Sequence, residues 1–148
     1  MILFVHMLFG AATGSLIKNV PLAIILAFLG HYFLDFLPHI EYNIENIEKK
    51  QWRTAMPTIF KILLDFCLGI LLILIFSKNH PIIYICAIVS IVPDSFTVLS
   101  WFMPIKILEA HNKLNEKIHL FKYKKISNFW RFSSQIVIII ISIILLKL

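Results

Sequence analysis

Residues 20–40 read "VPLAIILAFLGHYFLDFLPHI", an apolar segment whose C-terminal half carries His31, Asp35 and His39. Its length suits a transmembrane helix, which needs about 20 apolar residues. An ionisable side chain inside a bilayer is costly, about 2.5 to 3.5 kcal/mol for a central aspartate on insertion scales. The three side chains are spaced four residues apart and therefore follow one face of a helix. They need a partner or a bound ion on that face.

The composition of the whole chain is that of a membrane protein. Of its 148 residues, 59% are hydrophobic and 15% are charged, and the mean hydropathy is +0.87. A soluble domain has about 45–50% apolar and about 25% charged residues. The length predicts a single membrane domain over residues 1–148. The net charge of +6 is typical of cytoplasmic loops that contact anionic lipid, so we expect the lipid bilayer and no nucleic acid as a partner.

Hydropathy predicts an all-α fold, a polytopic bundle of about five transmembrane helices with one cytoplasmic amphipathic helix. The five predicted spans are 2–17, 20–40, 57–77, 81–104 and 130–146. We interpret the first as a retained span, because it lacks a basic region before its apolar stretch and carries His6 within it. Pro38 should end or kink the second span near Leu37.

Lysine and arginine set the predicted orientation. Ten of them fall on one side of the predicted spans, within 41–56 and 105–131, and three fall on the other. The side rich in basic residues should be cytoplasmic. We therefore predict a multi-pass protein of the inner (cytoplasmic) membrane with its N-terminus in the cytoplasm.

The ionisable side chains of four predicted spans share one depth band. At a rise of 1.5 Å per residue, they lie between about 7 and 15 Å from the cytoplasmic surface. They are His6, His31, Asp35, Asp65 and Asp94. His39 should lie at the interface itself.

A cytoplasmic helix over residues 107–121 should cover this band. Its apolar stripe comprises Ile107, His111, Leu114, Ile118 and Phe121. His111 occupies a stripe position, so we predict a lid that directs His111 at the bundle. His119 flanks the stripe, about 80° around the helix.

Each polar residue alone has an ordinary structural explanation. A lone histidine commonly forms a hydrogen bond between membrane helices. Asp65 could pair with Lys61, and Asp94 of "VPDS" could cap a broken half-helix. Together, histidines and carboxylates at one depth favour a divalent metal site of one or two ions. A proton relay built from the same residues is the alternative.

The chain also resembles a known family in the order of its motifs. They are "VHMLFGAATGS", "HYFLDFLPH", a mid-chain "LLDF", "VPDS" and a late histidine pair. This order resembles the small prokaryotic inner-membrane proteins described as metal-dependent hydrolases, which are thought to be distantly similar to zinc-dependent phospholipases C. The resemblance implies metal ligation by His6, His31, Asp35 and Asp94. It implies further or supporting roles for Asp65, His39, His111 and His119.

These observations predict a metal-dependent hydrolase of a phosphoester, such as a phospholipid head group. Zinc is the expected metal, with manganese or magnesium as alternatives, and the metal would activate water. Asp65 or Asp94, whichever does not ligate, would be the general base. The alternative is a non-catalytic membrane protein, either an ion or proton carrier or a metal-stabilised structural subunit. The sequence does not predict the oligomeric state.

Overall fold

The computed structural model describes residues 1–103, 105–118 and 126–148, and these residues form helices and no strands. The helices are α1 (Leu3–Leu16), α2 (Val20–Phe36), α3 (Glu45–Glu48), α4 (Trp52–Phe76), α5 (Pro81–Val89), α6 (Val92–Ser100), α7 (Lys106–Ile118) and α8 (Asn128–Lys147). The prediction of an all-α fold is confirmed.

Three helical stretches are long and apolar enough to cross a membrane. They are Trp52–Phe76, Pro81–Ser100 (α5 and α6 together) and Asn128–Lys147. The helices α1 and α2 are apolar but have only 14 and 17 residues. At 1.5 Å per residue, each falls short of the roughly 30 Å hydrocarbon core. The structure is thus consistent with a membrane protein, and three of the five predicted spans reach the required length.

The helix α1, the shorter of α1 and α2, lies at the centre of the bundle. It packs against α2, α4, α5 and α8, and its Val5, Met7 and Leu8 are fully buried. A Cβ added to Gly10 would lie 2.4 Å from the carbonyl oxygen of Cys86. Glycine is therefore required where the backbones of α1 and α5 touch. The close packing explains how so short a helix is held in place.

The helix α2 ends at Phe36, as the proline at position 38 predicts. The backbone carbonyls that follow need donors, because buried carbonyls without a hydrogen-bond partner are costly. Three side chains of α8 supply them: Ser134 donates to Pro38, Gln135 to Ile40 and Arg131 to His39. The irregular segment after α2 is thereby fixed against α8.

The predicted span 81–104 is divided into two helices. The helix α5 ends at Val89 and α6 begins at Val92. Pro93 has no N–H, and its ring would clash with the carbonyl four residues earlier in a continuous helix. Asp94 lies in the first turn of α6, where the positive end of the helix dipole favours a carboxylate. The interpretation of Asp94 as part of a broken half-helix is correct in position, although it is not the N-cap.

The helix α7 contacts the bundle through a face that includes His111 of the predicted stripe. Leu108 and Asn115 are buried, whereas Ile107 is 79% exposed and Leu114 is also exposed. Asn115 donates a hydrogen bond to the hydroxyl of Thr97 on α6. Contact of Ile107 and Leu114 with the membrane surface stays a prediction. Phe121 lies outside the described residues.

Candidate metal centre

Four ionisable side chains from three helices meet beside the centre of the bundle. The imidazole rings of His6 and His31 stack with their centroids 4.2 Å apart, and both residues are fully buried. Ligand atoms of His6, His31 and Asp94 all lie within 4.8 Å of one another. This group could hold a metal ion. The sequence predicted all three residues, together with Asp35, at one depth.

The hydrogen bond of His31 determines which of its ring nitrogens faces the cluster. Its Nδ1 lies 2.8 Å from the carbonyl oxygen of Ser90. A carbonyl only accepts, so Nδ1 carries the proton. In the neutral ring, Nε2 then carries a lone pair. Nε2 lies 3.0 Å from Asp35 Oδ2 and 3.6 Å from Asp94 Oδ1. A lone pair facing two carboxylates is repelled unless a cation lies among them.

A proton or a metal ion would supply that cation. Metal-ligating histidines usually donate their other N–H to a carbonyl or carboxylate, as His31 does to Ser90. The side chain of Asp94 is 35% exposed, whereas those of His31 and Asp35 are fully buried. The cluster is therefore accessible from the side of Asp94.

His6 has no hydrogen bond to either ring nitrogen among the described residues, although both nitrogens are buried. Its Nε2 lies 3.2 Å from Asp35 Oδ1, without hydrogen-bond alignment. A buried polar group without a partner costs about 1 to 3 kcal/mol. The amino group of Met1 lies 2.9 Å from the same Asp35 oxygen. The surroundings of His6 thus fit a bound ion better than a purely structural role.

Ser90 lies between α5 and α6 and forms hydrogen bonds with the other two helices of the cluster. Ser90 was not predicted from the sequence. Its hydroxyl donates to the carbonyl oxygen of His6 at 2.7 Å, while its own carbonyl accepts from His31. The break before Pro93 was the only signal in the sequence near this position.

His39 lies on the other side of Asp35 from His31. Its Nε2 is 3.8 Å from Asp35 Oδ1 and 3.1 Å from Glu41 Oε1, and the residue is 5% exposed. Its Nδ1 lies 2.6 Å from the carbonyl oxygen of Leu37. The structure brings this predicted residue to the edge of the cluster. Glu41 was not predicted, because nothing in its local sequence distinguishes it from an ordinary loop residue.

His111 contacts α2 rather than bulk water. Its Nε2 forms a 2.9 Å hydrogen bond with the hydroxyl of Tyr32, and its ring packs edge-on against Phe96. Burial, and next the nearby His31, lower the pKa of His111 from its ordinary value. The helix α7 is therefore docked beside the cluster, and ligation by His111 stays a prediction. His119 lies outside the described residues.

Asp65, on α4, lies beside the N-terminus of α1. Its Oδ2 accepts a 2.9 Å hydrogen bond from the backbone N–H of Phe4. One of the otherwise unsatisfied amides at the N-terminus of α1 is thereby capped from α4. The structure pairs Asp65 with this amide rather than with Lys61. Its role as a general base stays a prediction.

An apolar groove of about 530 Å³ runs between α1, α2 and α8. Its floor includes the buried Ala12, Leu34 and Ser142, and its rims include the exposed Leu29 and Ile141. Leu34 immediately precedes Asp35 on α2, so the groove begins at the level of the cluster. Its volume lies within the range of about 300 to 1,000 Å³ that is usual for ligand sites.

Comparison of the chain with protein-family models, with curated proteins and with solved structures finds no significant match. The resemblance to membrane-bound hydrolases therefore rests on the motifs alone.

Proposed function

We propose that the protein is a membrane-embedded, metal-dependent hydrolase that cleaves a phosphoester, such as a phospholipid head group, from the cytoplasmic side. The observation that carries the proposal is the His31 ring, whose Nδ1 is fixed by Ser90 and whose Nε2 faces Asp35 and Asp94. A buried, oriented imidazole lone pair between carboxylates is the arrangement that a divalent ion needs.

His6, His31 and Asp94 would hold the metal. Two imidazoles and one carboxylate are a donor set typical of catalytic zinc, and manganese or magnesium would fit less well because they prefer oxygen ligands. When bound, the ion would lower the pKa of a water molecule towards neutrality and polarise a phosphoryl oxygen.

The protein's own groups would complete the site. The carboxylate of Asp35 lies 3.2 Å from Nε2 of His6 and 3.0 Å from Nε2 of His31, where its negative charge would help to hold a cation. Asp94 is the partly exposed carboxylate of the cluster, so it would be the one nearest an incoming substrate. Because Asp94 would ligate the metal, the general base would be Asp65.

Two features support a lipid as the substrate. The apolar groove between α1, α2 and α8 begins at the level of the cluster and extends along residues 9–17, about 12 Å. This length is close to the hydrocarbon thickness of one leaflet, about 15 Å, and would suit one acyl chain. The exposed Lys106, Lys113 and Lys117 of α7 would each favour an anionic head group by about 1 kcal/mol near the surface. The excess of basic residues on the same side supports a cytoplasmic N-terminus in the inner membrane.

Metal content and hydrolysis of the purified full chain test the proposal together. We expect the wild type in lipid nanodiscs to retain zinc and to release head groups from anionic phospholipids. The variants His31→Gln and Asp94→Asn should lose metal and activity. In the wild type, the ammonium of Lys78 contacts the backbone of Leu148. The variant Lys78→Gln should keep both metal and activity.

The alternatives give different results in the same experiment. Retained metal without hydrolysis of phospholipid or of a soluble phosphoester would indicate a metal-stabilised structural subunit and refute the enzyme. A wild type that binds no divalent metal would leave an ion or proton carrier, with the histidines and aspartates as the relay.

A further inference from the structure

The helix α7 has three distinct faces. Leu108 and Asn115 are buried and face the bundle. Ile107 and Leu114 are exposed on an edge about 100° around the helix from them. About 100° beyond that edge follows a row of three exposed lysines, Lys106, Lys113 and Lys117. An exposed apolar edge therefore lies between the bundle and a row of positive charges.

Exposed apolar side chains continue from this edge into the segment before α7. Phe102, Met103 and Ile105 are all exposed. The ring of Phe102 stacks on Trp52, the first residue of α4, with the ring centroids 5.7 Å apart. Tryptophan is enriched at the level of the lipid head groups. The segment that leads into α7 thus carries side chains typical of a membrane–water interface.

The three tryptophans of the chain lie at the ends of the three stretches that are long enough to cross a membrane. Trp52 begins α4, Trp101 follows α6 and Trp130 lies in the first turn of α8. Successive spans alternate in direction, so a beginning, an end and a beginning fall on one side of the bilayer. The helix α7 follows Trp101 and therefore belongs to that side.

The bundle face of α7 attaches the helix beside the candidate metal centre. His111 Nε2 lies 2.9 Å from the hydroxyl of Tyr32, and the amide of Asn115 donates to the hydroxyl of Thr97 at 3.2 Å. These partners belong to α2 and α6, the helices that contribute two of the three candidate ligands. Lipid in contact with α7 would therefore act on a helix that is attached to both.

We propose that α7 lies in the head-group region of an anionic membrane leaflet, and that this lipid holds it beside the metal centre. Ile107 and Leu114 insert among the lipids, and the lysine row contacts their phosphates. Lysine stems can lie along apolar surface while the ammonium groups reach the head groups. A second copy of the same face would bring its own lysines close, which is unfavourable. The lipid contact requires no hydrolysis, so it stands apart from the proposed function.

Two fluorescent probes on α7 test the insertion. An environment-sensitive fluorophore is attached to the full chain at Leu114→Cys or at Glu109→Cys, which lies on the polar face. Both variants carry Cys67→Ser, because Cys67 is exposed whereas Cys86 is buried. In nanodiscs that contain phosphatidylglycerol, we expect the probe at 114 to be blue-shifted and quenched by phospholipid spin-labelled near its head group. The probe at 109 should show neither effect.

Hydrogen exchange of residues 106–118 tests the lysine row. Wild-type protection should be higher in nanodiscs with phosphatidylglycerol than in phosphatidylcholine alone. Lys113→Gln with Lys117→Gln should lower protection in the anionic nanodiscs about five-fold for each lysine, the ratio that corresponds to about 1 kcal/mol. The matched control is Lys78→Gln with Lys147→Gln, near the C-terminal ends of α4 and α8, which should leave protection unchanged.

Each part of the proposal has a result that would overturn it. Equal quenching of the two probes would exclude the insertion of the apolar edge. A blue-shifted probe at 114 that labelled lipid does not quench would place protein on the edge instead. Wild-type protection that is equal in the two kinds of nanodisc would exclude the role of anionic lipid. No readout involves metal or hydrolysis, so these failures are distinct from a failure of the proposed function.

Discussion

Replacing Gly10 by alanine perturbs the bundle where the packing of α1 on α5 meets the candidate metal centre. The added Cβ would lie 2.4 Å from the carbonyl oxygen of Cys86 and 2.7 Å from Cβ and Oγ of Ser90. A backbone oxygen cannot rotate away, so α5 must move. Because the carbonyl of Ser90 orients His31, the displacement should reach the cluster as well as the core.

Two opposing terms give the expected magnitude. Alanine is favoured over glycine inside a helix by about 0.8–1.0 kcal/mol. Overpacking a close contact costs about 1–3 kcal/mol and sometimes more, and contact with backbone places Gly10 near the upper end. We expect a net loss of about 1–2 kcal/mol. By the scaling known for soluble domains of similar size, this lowers Tm by roughly 2–8 °C.

The assay is thermal unfolding in detergent, followed by helical circular dichroism, together with zinc affinity. Zinc affinity should fall about 10-fold or more, the usual cost of disturbing a group that orients a ligand. The control is Gly69→Ala, whose Cβ would meet Sδ of Met7 at 2.8 Å. A thioether can change rotamer, so this variant should unfold within about 1 kcal/mol of wild type. Wild-type stability and zinc affinity in Gly10→Ala would refute both the close contact and the role of Ser90.

Two further predictions concern the groove and α7. Ile141→Trp, at the rim of the groove, should reduce phospholipid hydrolysis while leaving metal content and cleavage of a soluble phosphoester unchanged. The control is Leu71→Trp, which is equally exposed on α4. Equal phospholipid hydrolysis by the two variants would contradict acyl-chain binding in the groove. Because burial lowers the pKa of His111, docking of α7 should be fully stable above the unfolded pKa of about 6.5 and weaken as pH falls below it. Hydrogen exchange of residues 106–118, corrected for intrinsic rates, should rise in that range, and a His111→Gln variant with the same pH profile would exclude titration of His111.

Several features of the fold follow from local sequence. The apolar stretches predict helices over 2–17, 20–40, 57–77 and 130–146, and the structure has helices over 3–16, 20–36, 52–76 and 128–147. Pro38 predicts the end of α2, because proline lacks the amide that the helix needs. The break before α6 divides a segment that was predicted as one span. The spacing of His31 and Asp35 predicts their shared face. All of these depend on residues within a few turns of one another.

Other features depend on partners that are distant in the chain. The carbonyl that orients His31 belongs to a residue 59 positions away, and the hydroxyl that joins Ser90 to His6 spans 84 positions. Hydropathy predicts that α7 is amphipathic, but not that Asn115 donates a hydrogen bond to Thr97 of α6. No local pattern contains such contacts.

The sequence by itself determined that the chain is helical and apolar, that α2 ends near Pro38, and which histidines and carboxylates could form one site. Only the tertiary structure decided that the short α1 lies at the centre, that His31 turns its Nε2 to Asp35 and Asp94, and that Glu41 stands beside His39. The physical reason is range: helix propensity and hydropathy act over a few residues along the chain. The direction of an imidazole lone pair is set by whichever carbonyl the packed bundle places against the opposite side of the ring.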